Sequence, residues 1–295
     1  MVILKVKKMY YFTFLAALFM GLSCTGKETP DYKEPPHVTP PLTGIESTYD
    51  KADGAIRLVS YNVGSFSKYN DSIEMIAKMM LELQADAVCM NEVDSCTTRA
   101  SGLDQPKVLA AKMGEWHHCF GRALYCLGGS YGNAIVVSPD FMNKGTETIV
   151  IPQGTGAQVR TCAVFKTDKF VIMAAHLDHV GEEARLDGVK RITDWAKKNY
   201  GNSDMPVFLC GDMNCEPQDA PIVKFKNDWN LISVIKNTFP AGQGKVAVKC
   251  IDFVFALKNN AKYEVMDSDV PMNFKYGNVL LASDHLPIYV DVKLK

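Results

Sequence analysis

Apolar runs of strand length recur through this chain, and several stop abruptly at one polar residue. Leu58-Val59-Ser60-Tyr61 stops at Asn62, Val88-Cys89-Met90-Asn91 at Glu92, Val171-Ile172-Met173-Ala174-Ala175 at His176, and Val207-Phe208-Leu209-Cys210-Gly211 at Asp212. A short apolar run bounded by turn residues reads as a strand. The polar residue that ends it then lies at the rim of a core. Any one such residue is more often a cap or a turn. Several together, of the types that bind hard cations and move protons, point to one site.

The rest of the pattern fills in the architecture. Strands are expected over 56–63, 85–90, 133–138, 147–151, 159–165, 170–175, 207–210, 246–256 and 286–292. A helix starts at Asp71, with Glu74 three residues on as in a capping box, and Ile73, Ile76, Met80 and Leu83 recur at helical spacing. A second helix is expected over 107–116. A third, over 182–199, opens with Glu182 and Glu183 and closes with Lys197 and Lys198, as the helix dipole favours, and Gly201 is its stop. Helices and strands are interspersed, but strands also follow one another directly. That predicts an α/β fold with mixed or antiparallel sheets and not a simple βαβ repeat.

The first 50 residues stand apart. Lys5, Lys7 and Lys8 precede an apolar run over 10–22 that is short for a membrane span, so residues 1–23 read as an export signal. Cys24 at the cleavage point resembles the acylated cysteine of a bacterial lipoprotein signal; the alternative is an ordinary secretory signal with an incidental Cys. Residues 24–50, with Pro30, Pro35, Pro36, Pro40 and Pro41 and few large apolar side chains, read as a linker. Residues 51–295 fit one large α/β domain. The chain is thus expected to be exported, held to a membrane by a lipid anchor, facing the periplasm or the outside, and monomeric.

Loss of the signal's three lysines takes the formal charge from −1 to −4. No basic run follows Lys8, which disfavours a dedicated nucleic-acid binder. Of the eight cysteines after Cys24, Cys89, Cys162 and Cys210 lie in apolar runs and read as small buried hydrophobes. Cys119 and Cys126 could bridge a hairpin in an exported protein. No cysteine pair has zinc-site spacing.

Two short stretches carry the sharpest chemistry. In Gly211-Asp212-Met213-Asn214, extended residues two apart face the same way, which would aim Asp212 and Asn214 together at one water; an Asp-x-Asn turn is the alternative. In Ser283-Asp284-His285-Leu286-Pro287, neighbouring Asp284 and His285 point to opposite sides, so Asp284 suits a metal and His285 needs a partner from elsewhere. Asp252, an acid inside the apolar run Cys250-Ile251-Asp252-Phe253-Val254-Phe255, needs a partner too, and His285 is the natural one. The alternative is a pair with Lys249 or a turn cap.

Together, Ser60-Tyr61-Asn62, Asn91-Glu92, Tyr131-Gly132-Asn133-Ala134-Ile135, Ala175-His176-Leu177-Asp178-His179, Gly211-Asp212-Met213-Asn214, Ile251-Asp252-Phe253 and Ser283-Asp284-His285 resemble the endonuclease/exonuclease/phosphatase superfamily, in its order and over about 56–294. The resemblance implies a four-layer α/β sandwich, two mixed sheets face to face with helices outside. It also implies hydrolysis of phosphate esters with Mg²⁺ or Mn²⁺. Glu92 would be the principal metal ligand, with Asn62 and Asp284 close to the ion. Asp212 would deprotonate the attacking water and Asn214 would position it. His285, held by Asp252, and His176 would stabilise phosphate oxygens. Arg160, Asn133 and Arg185 would contact the substrate. Cys250 stands where the family often carries Arg, one residue after Lys249.

The function expected is a metal-dependent phosphodiesterase or phosphatase for an extracytoplasmic small-molecule, lipid or sugar phosphate. An extracellular nuclease is the alternative, which aromatics alternating with basic residues in the loops would support; Lys68-Tyr69 and Lys275-Tyr276 are the pairs read there. A non-catalytic surface binding protein of the same fold is a further alternative. Substrate choice is expected to lie in loops over 97–105, 124–131 and 239–246. No Gly-x-Ser-x-Gly elbow supports a serine hydrolase.

Overall fold

The computed structural model describes residues 40–295; Cys24, the export signal and most of the expected linker lie outside the described residues. Two six-stranded sheets carry the domain. The first has the order β11-β12-β1-β2-β4-β3, from β1 (Ile56–Asn62), β2 (Ala87–Ser95), β3 (His117–Cys126), β4 (Gly129–Val137), β11 (Tyr263–Asp269) and β12 (Ile288–Leu294). The second has the order β5-β6-β7-β8-β10-β9, from β5 (Asn143–Ile151), β6 (Arg160–Thr167), β7 (Val171–His176), β8 (Val207–Asp212), β9 (Trp229–Leu231) and β10 (Asp252–Leu257). Each sheet has one parallel pair, β1 with β2 and β7 with β8, among antiparallel neighbours.

The layers follow from side-chain alternation. In β1, Leu58 enters the core between the sheets, while Val59 and Tyr61 face α1 (Ser72–Glu82) and α2 (Gln105–Lys112). In β8, Phe208 and Cys210 enter the inter-sheet core, while Val207 and Leu209 face the layer of α3 (Glu182–Tyr200) and α4 (Ala220–Asp228). Strands buried on both faces read as continuous apolar runs. The result is a four-layer α/β sandwich, helices outside and the two sheets packed face to face. Among the described residues no helix is long and apolar enough to cross a membrane.

Several local expectations are corrected. Residues 40–50 do not all behave as linker: Leu42 and Tyr49 pack against the core beside α1 and α2, and Thr48 bonds the buried Glu82. Asp71 precedes α1 but takes φ +58° and makes no side-chain cap bond, and Glu74 instead pairs with Lys78 and Lys112. The expected loop at 124–131 is a hairpin, β3 turning into β4 through Leu127 and Gly128, whose φ values of +50° and +75° suit the right-handed twist of the strands. Cys119 and Cys126 share strand β3, seven residues and roughly 23 Å apart, so they cannot bridge each other. The strand expected over 246–256 begins only at Asp252, because the segment before it lies outside the sheet, with Lys249 bridging Phe239. Strand β3, helix α4 and the edge strands β9 and β11 were not expected from the sequence pattern.

Candidate active site

The same alternation that builds the inter-sheet core builds the site. In β8 the inward series Phe208, Cys210 continues to Asp212; in β7 Ile172, Ala174 continues to His176; in β1 Ile56, Leu58 continues to Asn62; in β10 Ala256, Val254 leads back to Asp252. At one end of the seam between the sheets, the inward position is therefore polar on four strands. All four residues are buried.

Glu92 reaches this seam by a different route. Strand β2 does not close at Glu92, as expected, but continues to Ser95, and its register with β4 shifts between Met90 and Val93. Met90 and Val93 both face the helices. The bulge places two residues between them, and Glu92 takes φ +57°. Bulges re-aim side chains in this way. Asn91 turns its amide across to the second sheet, and Glu92 Oε1 accepts the Asn62 amide at 3.1 Å.

Asp212 is the hub. Its Oδ1 accepts the backbone N–H of Asn214 at 2.9 Å; its Oδ2 accepts the Asn62 amide at 3.1 Å and lies 3.5 Å from His176 Nε2 and 3.7 Å from His285 Nε2. Asn214 does not continue an extended chain: it turns at φ +49°, and its amide donates to Leu177 O at 3.0 Å and lies 2.9 Å from His176 Nε2. The Asp-x-Asn turn and the site are thus the same structure. Arg160 Nη1 lies 3.0 Å from His176 Nδ1. Arginine and the Asn214 amide nitrogen both only donate, whereas a neutral imidazole accepts at one nitrogen alone, so both ring nitrogens of His176 meet donor groups.

His285 Nδ1 meets Asp252 Oδ2 at 2.9 Å, and Thr238 Oγ1 donates to the same oxygen at 2.5 Å. The Phe239 ring packs on the imidazole at 4.6 Å. Lys249 is exposed and takes no part, and neighbouring Cys250 is buried toward the helices.

These contacts set the charges. Burial disfavours the His285 imidazolium, but Asp252, Asp212 and Glu92 outweigh it and lift its pKa to about 10. Burial pushes the Asp212 carboxyl up to about 7, against the opposing charge of His285. His176 stays neutral, driven well below its ordinary value by burial, then by Arg160 and the other two imidazoles.

The remaining expected residues are placed less centrally. Asp284 is over a third exposed and pairs with Lys68 at 3.1 Å. Asn133 is buried, and its amide is engaged within the protein, by Asn91 at 3.0 Å and by Thr161 O at 2.7 Å. Arg160 also reaches exposed His179 at 3.0 Å. Arg185 Nη1 donates to Asp178 O at 3.0 Å, while the Asp178 carboxylate accepts the N–H groups of Ala157, Val180 and Gly181. Two residues escaped the sequence reading. Asn91 stands beside Glu92 in one of the motifs but carries no expected role there, and Thr238 lies in no motif; the motif and the polar strand end were the signals for the first.

The oxygen donors suit a hard divalent cation. Among the described residues Glu92 makes no ion pair and meets a single side-chain donor, the Asn62 amide. Asp212, Asp252 and His285 also bring ligand atoms within 4.8 Å of one another. In that trio, however, Asp252 Oδ2 and His285 Nδ1 already bond each other, Thr238 bonds the same oxygen, and only Asp252 Oδ1 is left buried without a partner, whereas Glu92 meets a single donor and no cation.

Known proteins agree with this geometry at the level of fold. An endonuclease/exonuclease/phosphatase from Bacteroides vulgatus superposes with a TM-score of 0.67 at 21% identity, over 82% of this chain and 99% of the other. A mannosyl-6-phosphatase from Bacteroides thetaiotaomicron VPI-5482 gives 0.64 at 18%, over 80% and 99%. D. rerio TDP2, solved with a single-strand DNA product, gives 0.63 at 16%, over 81% and 99%. No curated protein matches the chain. The model of the Endonuclease/Exonuclease/phosphatase family matches residues 59–285, a span that holds every side chain of the seam, and the chain belongs to that family, whose members hydrolyse phosphoester bonds.

Proposed function

We propose that this chain is a divalent-metal-dependent phosphoesterase acting on a small-molecule, lipid or sugar phosphate outside the cytoplasm. The observation that carries the reading is the Asp212 hub, a buried carboxylate between a neutral and a cationic imidazole, with a carboxylate free for a cation beside it. Glu92 would hold Mg²⁺ or Mn²⁺, with Asn62 and Asp284 alongside. When bound, the cation polarises a phosphate oxygen and offsets developing charge. Asp212 orients a water and takes its proton at Oδ2. Asn214 and His176 hold a phosphate oxygen and the water in line. His285, cationic and fixed by Asp252, donates from Nε2 to an oxygen that gains charge as the ester breaks. Arg160 and Arg185 add positive charge at the entrance.

The nuclease reading draws on the DNA product in the zebrafish relative, but the mature chain has no basic footprint for a polynucleotide. Cys24 would carry the acyl anchor that keeps the domain at a membrane. Labelled fatty acid should enter the wild-type chain in bacterial cells and not Cys24→Ala; equal labelling would remove the anchor from the proposal.

The direct test is hydrolysis of bis-p-nitrophenyl phosphate, p-nitrophenyl phosphate and plasmid DNA, each with Mg²⁺, with Mn²⁺ and with excess EDTA. Metal-dependent release from the small esters with DNA intact is expected. DNA cleavage would favour the nuclease, and turnover unaffected by EDTA would end the metal assignment.

A further inference from the structure

Two dipeptides that the catalytic seam leaves unused meet in one groove. Lys68-Tyr69 and Lys275-Tyr276 lie some 207 positions apart in the chain, yet both tyrosines line the same groove of about 360 Å³. Its floor is Asp71, just before α1, and the face of the helix that Glu74, Met75 and Lys78 share. The facing wall is Tyr276-Gly277-Asn278.

That wall is held in place. Glu82, fully buried, accepts the backbone N–H groups of Lys275 at 2.7 Å and Tyr276 at 2.9 Å. A Cβ on Gly277 would lie 2.3 Å from Met79 Cγ, so only glycine lets this segment sit down on α1. The groove also adjoins the catalytic seam. Lys68, next to Tyr69, bonds Asp284 at 3.1 Å, and only α5 (Val279–Ala282) and Ser283 separate Asn278 from Asp284. One Cα step of about 3.8 Å, a lysine stem of about 6 Å and the 3.1 Å bond put the Tyr69 backbone within roughly 13 Å of the Asp284 carboxylate.

We propose that the groove is a subsite for a sugar ring on the alcohol side of the phosphoester substrate; this rests on the phosphoester-hydrolase reading above. Tyr69, 48% exposed, and Tyr276 offer ring faces and hydroxyls. Asp71, which does not cap its own helix, offers an acceptor for sugar hydroxyls, and Asn278, whose Oδ1 caps Leu280, keeps amide N–H groups to donate. The volume suits a small ring, at the low end for ligand pockets. The charge does not favour a polyanion: Lys78 and Lys112 are tied to Glu74, and Lys68 and Lys275 to Asp284 and Glu46, so no lysine of the groove is left unpaired.

The test compares kcat and KM, on the full chain with Mg²⁺ or Mn²⁺, for a hexose 6-phosphate, a disaccharide bearing a 6-phosphate, glycerol phosphate and a nucleoside 5′-monophosphate. The sugar esters should exceed glycerol phosphate in kcat/KM. Tyr69→Ala and Tyr276→Ala should each raise KM for the sugar esters by about 3- to 10-fold, with kcat and glycerol phosphate turnover little changed. Glycerol phosphate turned over as well as the sugars, or tyrosine variants without effect, would overturn the subsite and leave the hydrolase standing. A nucleotide preference lost in the same variants would assign the groove to a base and also overturn it. If no ester is hydrolysed by the folded, metal-supplied protein, the hydrolase reading fails, and calorimetric titration with a methyl hexopyranoside decides the groove alone. Heat that disappears in Tyr69→Ala supports it, and no heat in the wild type overturns it.

Discussion

At the scale of single residues, the proposed chemistry rests on Asp212 and His285. Replacing Asp212 by Asn or His285 by Ala removes the proton acceptor or the cationic donor, so kcat of the folded protein should fall on the order of 10³-fold or more with an unchanged circular dichroism spectrum. His285→Ala also leaves buried Asp252 without its ionic partner and lowers stability. Turnover within a factor of ten of wild type in either variant would remove that residue from the mechanism. The pH profile follows from the same pair. Asp212 must be ionised to accept a proton, and its pKa of about 7 makes kcat/KM rise with pH through that value. His285 must be protonated to donate, and its pKa of about 10 makes kcat/KM fall as pH passes it. A cation beside Asp212 favours the ionised form, so saturating metal should move the acid limb to lower pH, while His285→Asn should lose the alkaline limb. A flat profile over this range would contradict both roles. The pairing of Asp252 with His285 was legible in the sequence, because a charge inside an apolar run demands a partner. The bonds of Asn133 were not: a motif gives a residue's type and place in order, whereas its neighbours across the seam come from chain more than 25 residues away.

At the scale of elements, alternation was the dependable signal and boundaries were not. The helix α3 and the strands feeding the seam could be read because both faces or one clean stripe are apolar. Strands β3 and β11 escaped because they are largely part-exposed or exposed along their length and carry mixed side chains. The bulge in β2 escaped because nothing in Asn91-Glu92-Val93 marks an extra residue until its partner strand is known. Gly211 shows the cost of one atom within an element. It sits at φ +150°, and a Cβ there would lie 1.8 Å from Ala175 O on the adjacent strand. Gly211→Ala should destabilise by roughly 3 kcal/mol or more and lower Tm by about 6–12 °C. It should also displace Asp212, so activity measured well below Tm should fall with stability. A melting curve within a degree of wild type would show that the strands separate here at little cost.

At the scale of the whole molecule, the catalytic seam depends on two sheets meeting in register. Asn91 ties them: its amide donates to Ala175 O at 2.9 Å and to Asn133 Oδ1 at 3.0 Å, and its Oδ1 accepts the Asp212 N–H at 2.8 Å. Asn91→Ala leaves these partners buried and unsatisfied, so a loss of about 2–4 kcal/mol in chemical denaturation is expected. A change below about 0.5 kcal/mol would mean that the sheets dock without this tie. Cys89, Cys162 and Cys210 lie in the two sheets' cores, and burial holds the thiols of Cys89 and Cys162 well above their usual pKa. All three should resist a thiol reagent until global unfolding; rapid labelling of any of them in native buffer would argue for opening of the sandwich.

The polar end of the seam draws Asn62 and Glu92 from one sheet, His176, Asp212 and Asp252 from the other, and His285 from the last stretch of chain, 223 residues after the first of them. A nascent or truncated chain therefore holds fragments of chemistry but no catalyst, and neither sheet alone can cleave an ester. Hydrolysis is the last property this protein gains as it folds and the first it loses when the sheets part. In a refolding experiment, recovered turnover would time the docking of the two sheets.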